Sequence, residues 1–145
     1  MEPSQGSMQD AARTVLVVED DDGVRSLIRT LFRLEGFEVL SSQDGEEALD
    51  LARTRNGAIG LVITDINLGP DMDGLELAAG MRAIHPFIKV LYISGQDEDE
   101  RLRTELALGL SGFLMKPFTP RSLTEKARTL LASLPLAPAT PAASG

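Results

Sequence analysis

The sequence predicts an α/β fold, a doubly wound sheet of five parallel strands with helices on both faces. Short and almost uninterrupted apolar runs alternate five times with longer segments whose apolar residues recur at helical spacing. A continuous apolar run is typical of a strand that is covered on both faces, and right-handed crossovers join such strands into one parallel sheet. A chain of 145 residues is long enough for one such domain with its own core.

The predicted elements follow one another as strand and then helix. Strands are predicted at 14–18, 38–41, 59–64, 88–93 and 112–115, and helices at about 22–36, 44–57, 74–84, 97–108 and 120–134. Asp22 is the expected N-cap of the first helix, and Gly36 and Gly109 are typical of positions that follow a helix. Five strands in about 120 residues suit the flavodoxin-like strand order 2-1-3-4-5.

Three segments are expected along the chain. Residues 1–13 are polar and are predicted to form a flexible leader. Residues 14–134 contain all of the strand and helix patterns and form the predicted domain. Residues 135–145 are rich in Pro and Ala and contain too few large apolar side chains to fold, so a disordered tail is expected.

The composition narrows the class of protein. There is no cysteine, which excludes disulfides and thiolate metal sites. The sequence lacks an apolar run of the roughly 18 residues that a membrane span needs, and its N-terminus lacks the basic and apolar regions of a signal peptide, so we expect a cytoplasmic protein that does not contact membranes. A net charge of −8 argues against nucleic-acid binding by this domain.

Polar side chains follow four of the five predicted strands. Glu19 and Asp20 follow the first strand, Asp65 follows the third, Ser94 the fourth and Lys116 the fifth. In the predicted strand order, the first and third strands are neighbours, and ligands bind beyond the carboxyl ends of the strands where the order reverses. The sequence therefore predicts a site that gathers carboxylates, a hydroxyl and an ammonium around Asp65.

These groups favour phosphoryl chemistry. Carboxylates that meet at one place either raise their pKa or hold a cation, and a few carboxylate oxygens without a calcium loop favour Mg²⁺. Lys116 is a point charge suited to a phosphate oxygen, and Ser94 adds a hydroxyl donor. Without cysteine, and with His85 in a loop before a proline, the nucleophile is a carboxylate, and Asp65 is the best candidate for forming an aspartyl phosphate.

Four short motifs, taken together, resemble a known family. Val17–Asp20, Ile63–Asn67, Ile93–Gly95 and Phe113–Phe118 are similar, in order and spacing, to the receiver domain of two-component response regulators. The resemblance covers about residues 13–134. Each motif alone is common, but the four together identify the chain as a member of this family.

The resemblance implies a role for each residue at the metal and phosphate positions. Asp65 is the implied phosphoacceptor, and Glu19 and Asp20 are the acidic pair that positions Mg²⁺. Asn67 would offer its backbone carbonyl to the metal, while Lys116 would hold a phosphate oxygen. Glu19 stands where the family more often has Asp, so its longer arm is expected to reach the metal through water.

The resemblance also implies a switch. Ser94, where Thr is more usual, would move toward the phosphate, and the aromatic Phe113 would then turn inward, although a strand Phe is as well explained by core packing. Asn67 and Gln96 lie at positions that tune the access of water to the phosphate. The loop 68–74 is one residue longer than the commonest form, and we expect an altered path there with intact chemistry.

The implied function is a phosphorylation-controlled signalling switch. Its phosphoryl donor would be a histidine kinase or a histidine phosphotransfer protein, and its only catalysis would be self-directed phosphorylation and autodephosphorylation. A downstream protein would bind the face formed by the fourth helix, the fifth strand and the fifth helix, and a homodimer is compatible with this arrangement. The sequence leaves open whether the domain acts alone or belongs to a hybrid kinase or a larger regulator.

Two other functions share part of this pattern. A metal-dependent phosphatase with an aspartate nucleophile is suggested by Asp65-Ile66-Asn67, but the second acid of an Asp-x-Asp motif and a cap domain are missing. A flavodoxin-like nucleotide binder needs a loop of Ser, Thr and Gly after the first strand. This chain has Glu19–Asp22 there, which repels phosphate unless a metal intervenes.

Overall fold

The computed structural model describes residues 13–55, 58–97 and 99–132. The predicted tail at 135–145 and all of the predicted leader except Arg13 lie outside these residues. The last two residues of the second predicted helix, Asn56 and Gly57, also lie outside them.

The described residues form five strands and five helices in strict alternation. The strands are β1 Thr14–Val18, β2 Glu38–Ser42, β3 Leu61–Asp65, β4 Lys89–Ser94 and β5 Ser111–Met115. The helices are α1 Asp22–Leu34, α2 Gly45–Thr54, α3 Gly74–Ile84, α4 Glu100–Leu106 and α5 Pro120–Ala132. No helix of the described residues is long and apolar enough to cross a membrane.

The strands form one parallel sheet in the order β2-β1-β3-β4-β5, which confirms the predicted topology. β1 and β3, the strands expected to flank the ligand position, are direct neighbours. All five strands run the same way, so their carboxyl ends share one edge of the sheet.

The sheet separates two apolar clusters. On one face the side chains of β1, β3 and β4 pack with α2, α3 and Leu102 of α4, and Tyr92 is the largest fully buried side chain there. On the other face Phe32 of α1 and Leu123 of α5 pack against the alternate residues of the same strands. Each large aliphatic side chain buried in this way contributes about 1.5–3 kcal/mol, so burial on both faces fixes the strand positions.

Aspartates cap four of the helices. Asp21, Asp44, Asp73 and Asp99 have extended backbones, and the side chain of each accepts a hydrogen bond from the backbone N–H three residues on. Such a cap typically stabilises a helix by about 1 kcal/mol. The prediction of Asp22 as the first cap was wrong, because the preceding Asp21 is extended and Asp22 already lies in the first turn.

Helix α4 is shorter than the sequence indicated. Residues 97–108 were predicted as helix, but α4 runs only from Glu100 to Leu106. Asp97 and Asp99 precede it, and Asp99 serves as its cap. The helix then ends before Gly109, which has a φ of 82°, a left-handed conformation that glycine adopts without steric cost.

Candidate functional site

The ladder of the sheet continues for one residue past several strand ends and fixes the backbone of the site. The N–H of Glu19 donates to the Ser42 carbonyl at 3.1 Å, and the N–H of Lys116 donates to the Ser94 carbonyl at 2.8 Å. The N–H of Ile66, next to Asp65, donates to the Ile93 carbonyl at 3.0 Å. The structure thus brings the strand-end residues to one edge, as the sequence predicts.

Asp65 and Lys116 form the centre of the site. The Asp65 side chain is buried, and its Oδ2 accepts a hydrogen bond of 2.5 Å from the Nζ of Lys116. Its Oδ1 accepts a second bond of 2.9 Å from the backbone N–H of Asn67. Partial burial opposes the charge of Lys116, but its hydrogen bond and attraction to Asp65 outweigh burial and raise the pKa of the ammonium. The lysine therefore stays charged beside the carboxylate.

Glu19 follows β1, is also buried, and lies near enough to Asp65 and Lys116 for their charges to act on it. Burial raises the pKa of Glu19 to about 7, helped by Asp20 and by the negative charge of Asp65, although the Asp21 N–H donates to its Oε2 at 3.1 Å and opposes the rise. Asp20 is exposed. A buried carboxylate with two acidic neighbours gains much from a bound cation.

The donor set fits Mg²⁺ better than a metal that needs a complete protein cage. Among the described residues, no three carboxylate or imidazole groups are arranged as a ready metal cage. Mg²⁺ usually takes one or two carboxylates and keeps several waters, so it does not require a complete protein cage, and the predicted donors are Asp65, Asp20, Glu19 and the Asn67 carbonyl.

Gly74 positions the acceptor residue from the other side. The N–H of Gly74 donates to the Ile66 carbonyl at 2.7 Å. A Cβ at this position would lie 2.6 Å from the Asp65 carbonyl oxygen and 3.0 Å from the Ile66 Cα, both backbone atoms. The first turn of α3 therefore packs directly on the backbone of Asp65. Sequence analysis assigned Gly74 only the start of a helix, because a tight approach between distant segments leaves no local signal.

Ser94 lies at the end of β4 and is buried. Its Oγ accepts a hydrogen bond of 3.1 Å from the N–H of Gln96. A cavity of about 150 Å³ opens between Ser94, Asn67 and Gln96, which is room for several waters. Its outer wall includes an ion pair of 2.6 Å between Arg101 and Asp73. The residues predicted to tune water access therefore line one cavity beside Ser94.

Phe113 is half-buried on β5, opposite Tyr92 of β4 in the register, and packs against the cluster covered by α2, α3 and α4. This position is compatible with both the switch role and ordinary packing, so its role stays a prediction. The loop from Leu68 to Met72 borders a further cavity of about 320 Å³ that Asp20 also lines.

Comparison with known proteins identifies the family. The family model described as the response regulator receiver domain matches residues 15–128. The chemotaxis protein CheY homolog of Campylobacter jejuni is 36% identical over 120 residues, covering 81% of this chain and 91% of that protein. The receiver domain of the hybrid histidine kinase CckA has a TM-score of 0.69 at 36% identity, with 81% of this chain and 98% of that domain covered. The chain belongs to the response regulator receiver family.

Several relatives are much longer than this chain. The sensor kinase CckA of Brucella abortus is 36% identical over 118 residues, which are 81% of this chain but only 12% of the kinase. The chain spans about half the length of the transcriptional regulators that it matches. The shared part is a phosphorylation-controlled signalling switch and not a classical enzyme.

Proposed function

We propose that Asp65 accepts a phosphoryl group from a phosphohistidine of a histidine kinase or a histidine phosphotransfer protein. The observation that supports this most directly is the 2.5 Å contact between the Lys116 ammonium and the Asp65 carboxylate at the shared carboxyl edge of the strands. An isolated strand-end aspartate would serve as a turn or cap residue, but the partly buried lysine beside it supplies the positive charge that a phosphoryl group needs.

The transfer exchanges one bond for another. The free electron pair of an Asp65 carboxylate oxygen forms the new O–P bond, and the P–N bond to the donor imidazole breaks, so that its electron pair returns to the histidine nitrogen. The product is an aspartyl phosphate. Lys116 leaves the carboxylate oxygen for a phosphate oxygen, and the Ser94 hydroxyl donates to another. Bound Mg²⁺ would neutralise charge on the phosphoryl oxygens, held by Asp20, Asp65 and the Asn67 carbonyl, with Glu19 reaching it through water.

Phosphorylation then biases a two-state element. Ser94 moves toward the phosphate, Phe113 turns inward, and the face formed by α4, β5 and α5 changes its affinity for a downstream protein or a second copy of the chain. The proposed kinase partners place the protein in the cytoplasm. Residues 14–134 form the proposed domain, flanked by a leader and a tail, and its catalysis is limited to its own phosphorylation and dephosphorylation.

The test is phosphoryl incorporation from acetyl phosphate in the presence of Mg²⁺, followed by intact-protein mass spectrometry. The wild-type chain gains one phosphoryl group, and chelation of the metal abolishes the gain. Asp65→Asn removes the acceptor and gains none. Asp50→Asn, a carboxylate on the exposed surface of α2 that pairs with Arg53, is the matched control and is phosphorylated like the wild type. Phosphorylation of the Asp65→Asn variant at the wild-type level would refute the proposal.

A further inference from the structure

A buried polar network lies beneath α4, outside the phosphoacceptor site. It comprises Tyr92 of β4, Glu105 of α4, Arg82 of α3 and Ser111 of β5, and we call it the α4 network. Its four side chains come from four consecutive elements of the chain. Tyr92 is fully buried, and Arg82 and Glu105 expose only 16% and 13% of their side chains.

One oxygen of Glu105 is the centre of this network. The Glu105 Oε2 accepts hydrogen bonds from the Tyr92 hydroxyl at 2.7 Å, the Ser111 hydroxyl at 2.7 Å and the Arg82 guanidinium at 2.5 Å. A second nitrogen of Arg82 donates to the Ser111 Oγ at 2.9 Å. Burial opposes the charge of Glu105, but the three donors outweigh it and lower the pKa of the carboxyl. The carboxylate thus holds α4 to α3 and to both strands at once.

Few other contacts hold α4 in place. The helix has seven residues, and Leu102 is its only fully buried side chain. On its α3 side a groove of about 600 Å³, lined by Leu75, Ala79 and Leu108, separates the two helices. Leu108 just beyond the helix is 53% exposed. Apart from the network, α4 is held by Leu102, by the half-buried Leu106 and by the ion pair of Arg101 with Asp73. A short helix with so few anchors belongs to the part of a fold that opens at low cost.

The network also borders the residues that the proposed switch uses. In the parallel register Val90, Tyr92 and Ser94 lie opposite Ser111, Phe113 and Met115. Alternate residues of a strand point to the same face, so this set of side chains faces α4. Tyr92 is two residues before Ser94 and directly beside Phe113. A displacement of Ser94 or Phe113 therefore acts on the side chains that hold Glu105.

We propose that the α4 network is a latch that holds α4 against the sheet in the unphosphorylated protein and opens when Asp65 is phosphorylated. The inference rests on the proposed function of Asp65. Phe113, on turning inward, displaces Tyr92 and Ser111 from Glu105, and α4 shifts along the open groove. The buried Nε of Arg82 has no hydrogen-bond partner among the described residues, so the network is not fully satisfied in this position of α4. The four residues of the α4 network therefore act as positioning residues for α4.

Tyr92 gives a direct measurement of the latch. It is the only tyrosine of the chain, and the chain has no tryptophan, so tyrosine emission reports on this hydroxyl alone. A hydroxyl bonded to a carboxylate quenches that emission. Addition of acetyl phosphate with Mg²⁺ raises the emission of the wild type as phosphoryl incorporation proceeds, and it leaves Asp65→Asn unchanged. Incorporation without a change in emission would overturn the latch while leaving the proposed function intact; absence of incorporation would instead refute the proposed function.

Weakened variants test whether the latch opposes activation. Glu105→Gln removes the charge but keeps the shape, and it lowers the acetyl phosphate concentration for half-maximal phosphorylation by about three- to tenfold, as expected for weakening one charge-assisted hydrogen bond. Ser111→Ala removes one donor and gives a smaller shift in the same direction, which keeps the test valid if Glu105→Gln folds poorly. Glu125→Gln, which breaks the exposed ion pair with Arg121 on α5, is the control and gives no shift. If both network variants required the same acetyl phosphate concentration as the wild type for half-maximal phosphorylation, the latch would be overturned.

Discussion

Two regions of the molecule hold buried acids, and they hold them in opposite electrostatic states. At the carboxyl edge of the sheet, Glu19 and Asp65 are buried beside the exposed Asp20, and Lys116 contacts Asp65. Beneath α4 the single acid Glu105 meets one arginine and two hydroxyls. The pKa of Glu19 is raised to about 7 mainly by its burial, whereas the donors around Glu105 overcome burial and lower its pKa.

This difference in charge balance is expected between a ligand site, the proposed role of the sheet edge, and a network that fastens a helix to the rest of the fold. In the proposed function, a divalent cation would balance the excess negative charge of the sheet edge, both before and after phosphorylation. The network under α4 is electrically balanced and nearly satisfied by the protein itself, so it stabilises one position of a helix. Neutralising an acid should therefore have opposite effects on stability in the two regions.

The largest expected effect comes from breaking the buried pair on one side only. Arg82→Met leaves the Glu105 carboxylate buried without its cation, and the free energy of unfolding falls by about 3 kcal/mol. The double variant Arg82→Met/Glu105→Leu removes both charges and recovers most of the loss. Urea unfolding of both proteins measures the difference.

The matched control for that prediction is Arg53→Met. Arg53 pairs with Asp50 on the surface of α2, and both side chains are more than half exposed, so its loss costs less than about 1 kcal/mol. Equal losses in Arg82→Met and Arg53→Met would show that the network under α4 behaves as ordinary surface charge.

The next effect tests how the sheet edge is held together. Gly74→Ala places a methyl group 2.6 Å from the backbone oxygen of Asp65, so α3 or the acceptor strand shifts. We expect a loss of about 2 kcal/mol in stability and a reduced rate of phosphorylation from acetyl phosphate. Gly80→Ala on the same helix meets only the mobile end of Leu49 and gains helix propensity, so its stability and phosphorylation rate stay close to wild type. Equal phosphorylation rates in the two variants would argue against Gly74 as a positioning residue.

Removing the negative charge of Glu19 at the sheet edge should stabilise the metal-free protein. The pKa of Glu19 rises from 4.5 to about 7 on folding, so the folded protein binds this proton more tightly than the unfolded chain does. The wild type therefore loses stability as the pH rises from 4.5 to 7, and Glu19→Gln does not. At pH 8 the variant is more stable by about 1 kcal/mol after allowance for solvent screening.

Unfolding curves of the wild type and Glu19→Gln at pH 5 and pH 8 in a chelating buffer test whether the variant is the more stable protein at the higher pH. Added Mg²⁺ stabilises the wild type more than the variant, since the cation binds the folded state. A variant that is less stable than wild type at pH 8 without metal would contradict the charge imbalance inferred for this region.

The smallest expected effect is the loss, at acid pH, of the contribution that the α4 network makes to stability. The folded pKa of Glu105 is depressed below 4.5, so its contribution to stability is complete above that pH and is lost as the pH falls through the folded pKa. Tyr92 on β4, Arg82 on α3 and Ser111 on β5 are the groups that face this carboxyl. The Glu105→Gln variant lacks the stability that the ionised carboxylate contributes. The difference in stability between wild type and variant therefore narrows below pH 4.5. A difference that is constant from pH 7 to pH 3 would show that Glu105 is not held as a carboxylate.

Local patterns were sufficient to predict the fold and the strand-end residues. Uninterrupted apolar runs gave the five strands, and the parallel order brought Glu19, Asp65, Ser94 and Lys116 to one edge, because the end of a parallel strand has a fixed place in the sheet. Boundaries were less accurate where several aspartates compete. Asp21 and not Asp22 caps α1, and Asp99 starts α4 later than expected.

The network under α4 could not be read from the sequence. Tyr92 lies in an apolar run and looks like core, and Glu105 and Arg82 look like the polar sides of two helices. Their meeting depends on the packing of α3 and α4 over β4 and β5, which no local pattern encodes. The close approach of Gly74 to Asp65 was missed for the same reason. The functional roles of all the predicted site residues stay predictions: Asp65, Lys116, Ser94, Glu19, Asp20, Asn67 and Phe113.

The side chains of β4 alternate between the two faces of the sheet. Leu91 and Ile93 point into the cluster under α1 and α5, whereas Tyr92 points toward α4. The two layers share a backbone but almost no side-chain contacts across it. Substitutions in the cluster under α1 and α5 are therefore expected to leave the packing of α4 intact, so the two faces of one sheet can vary independently.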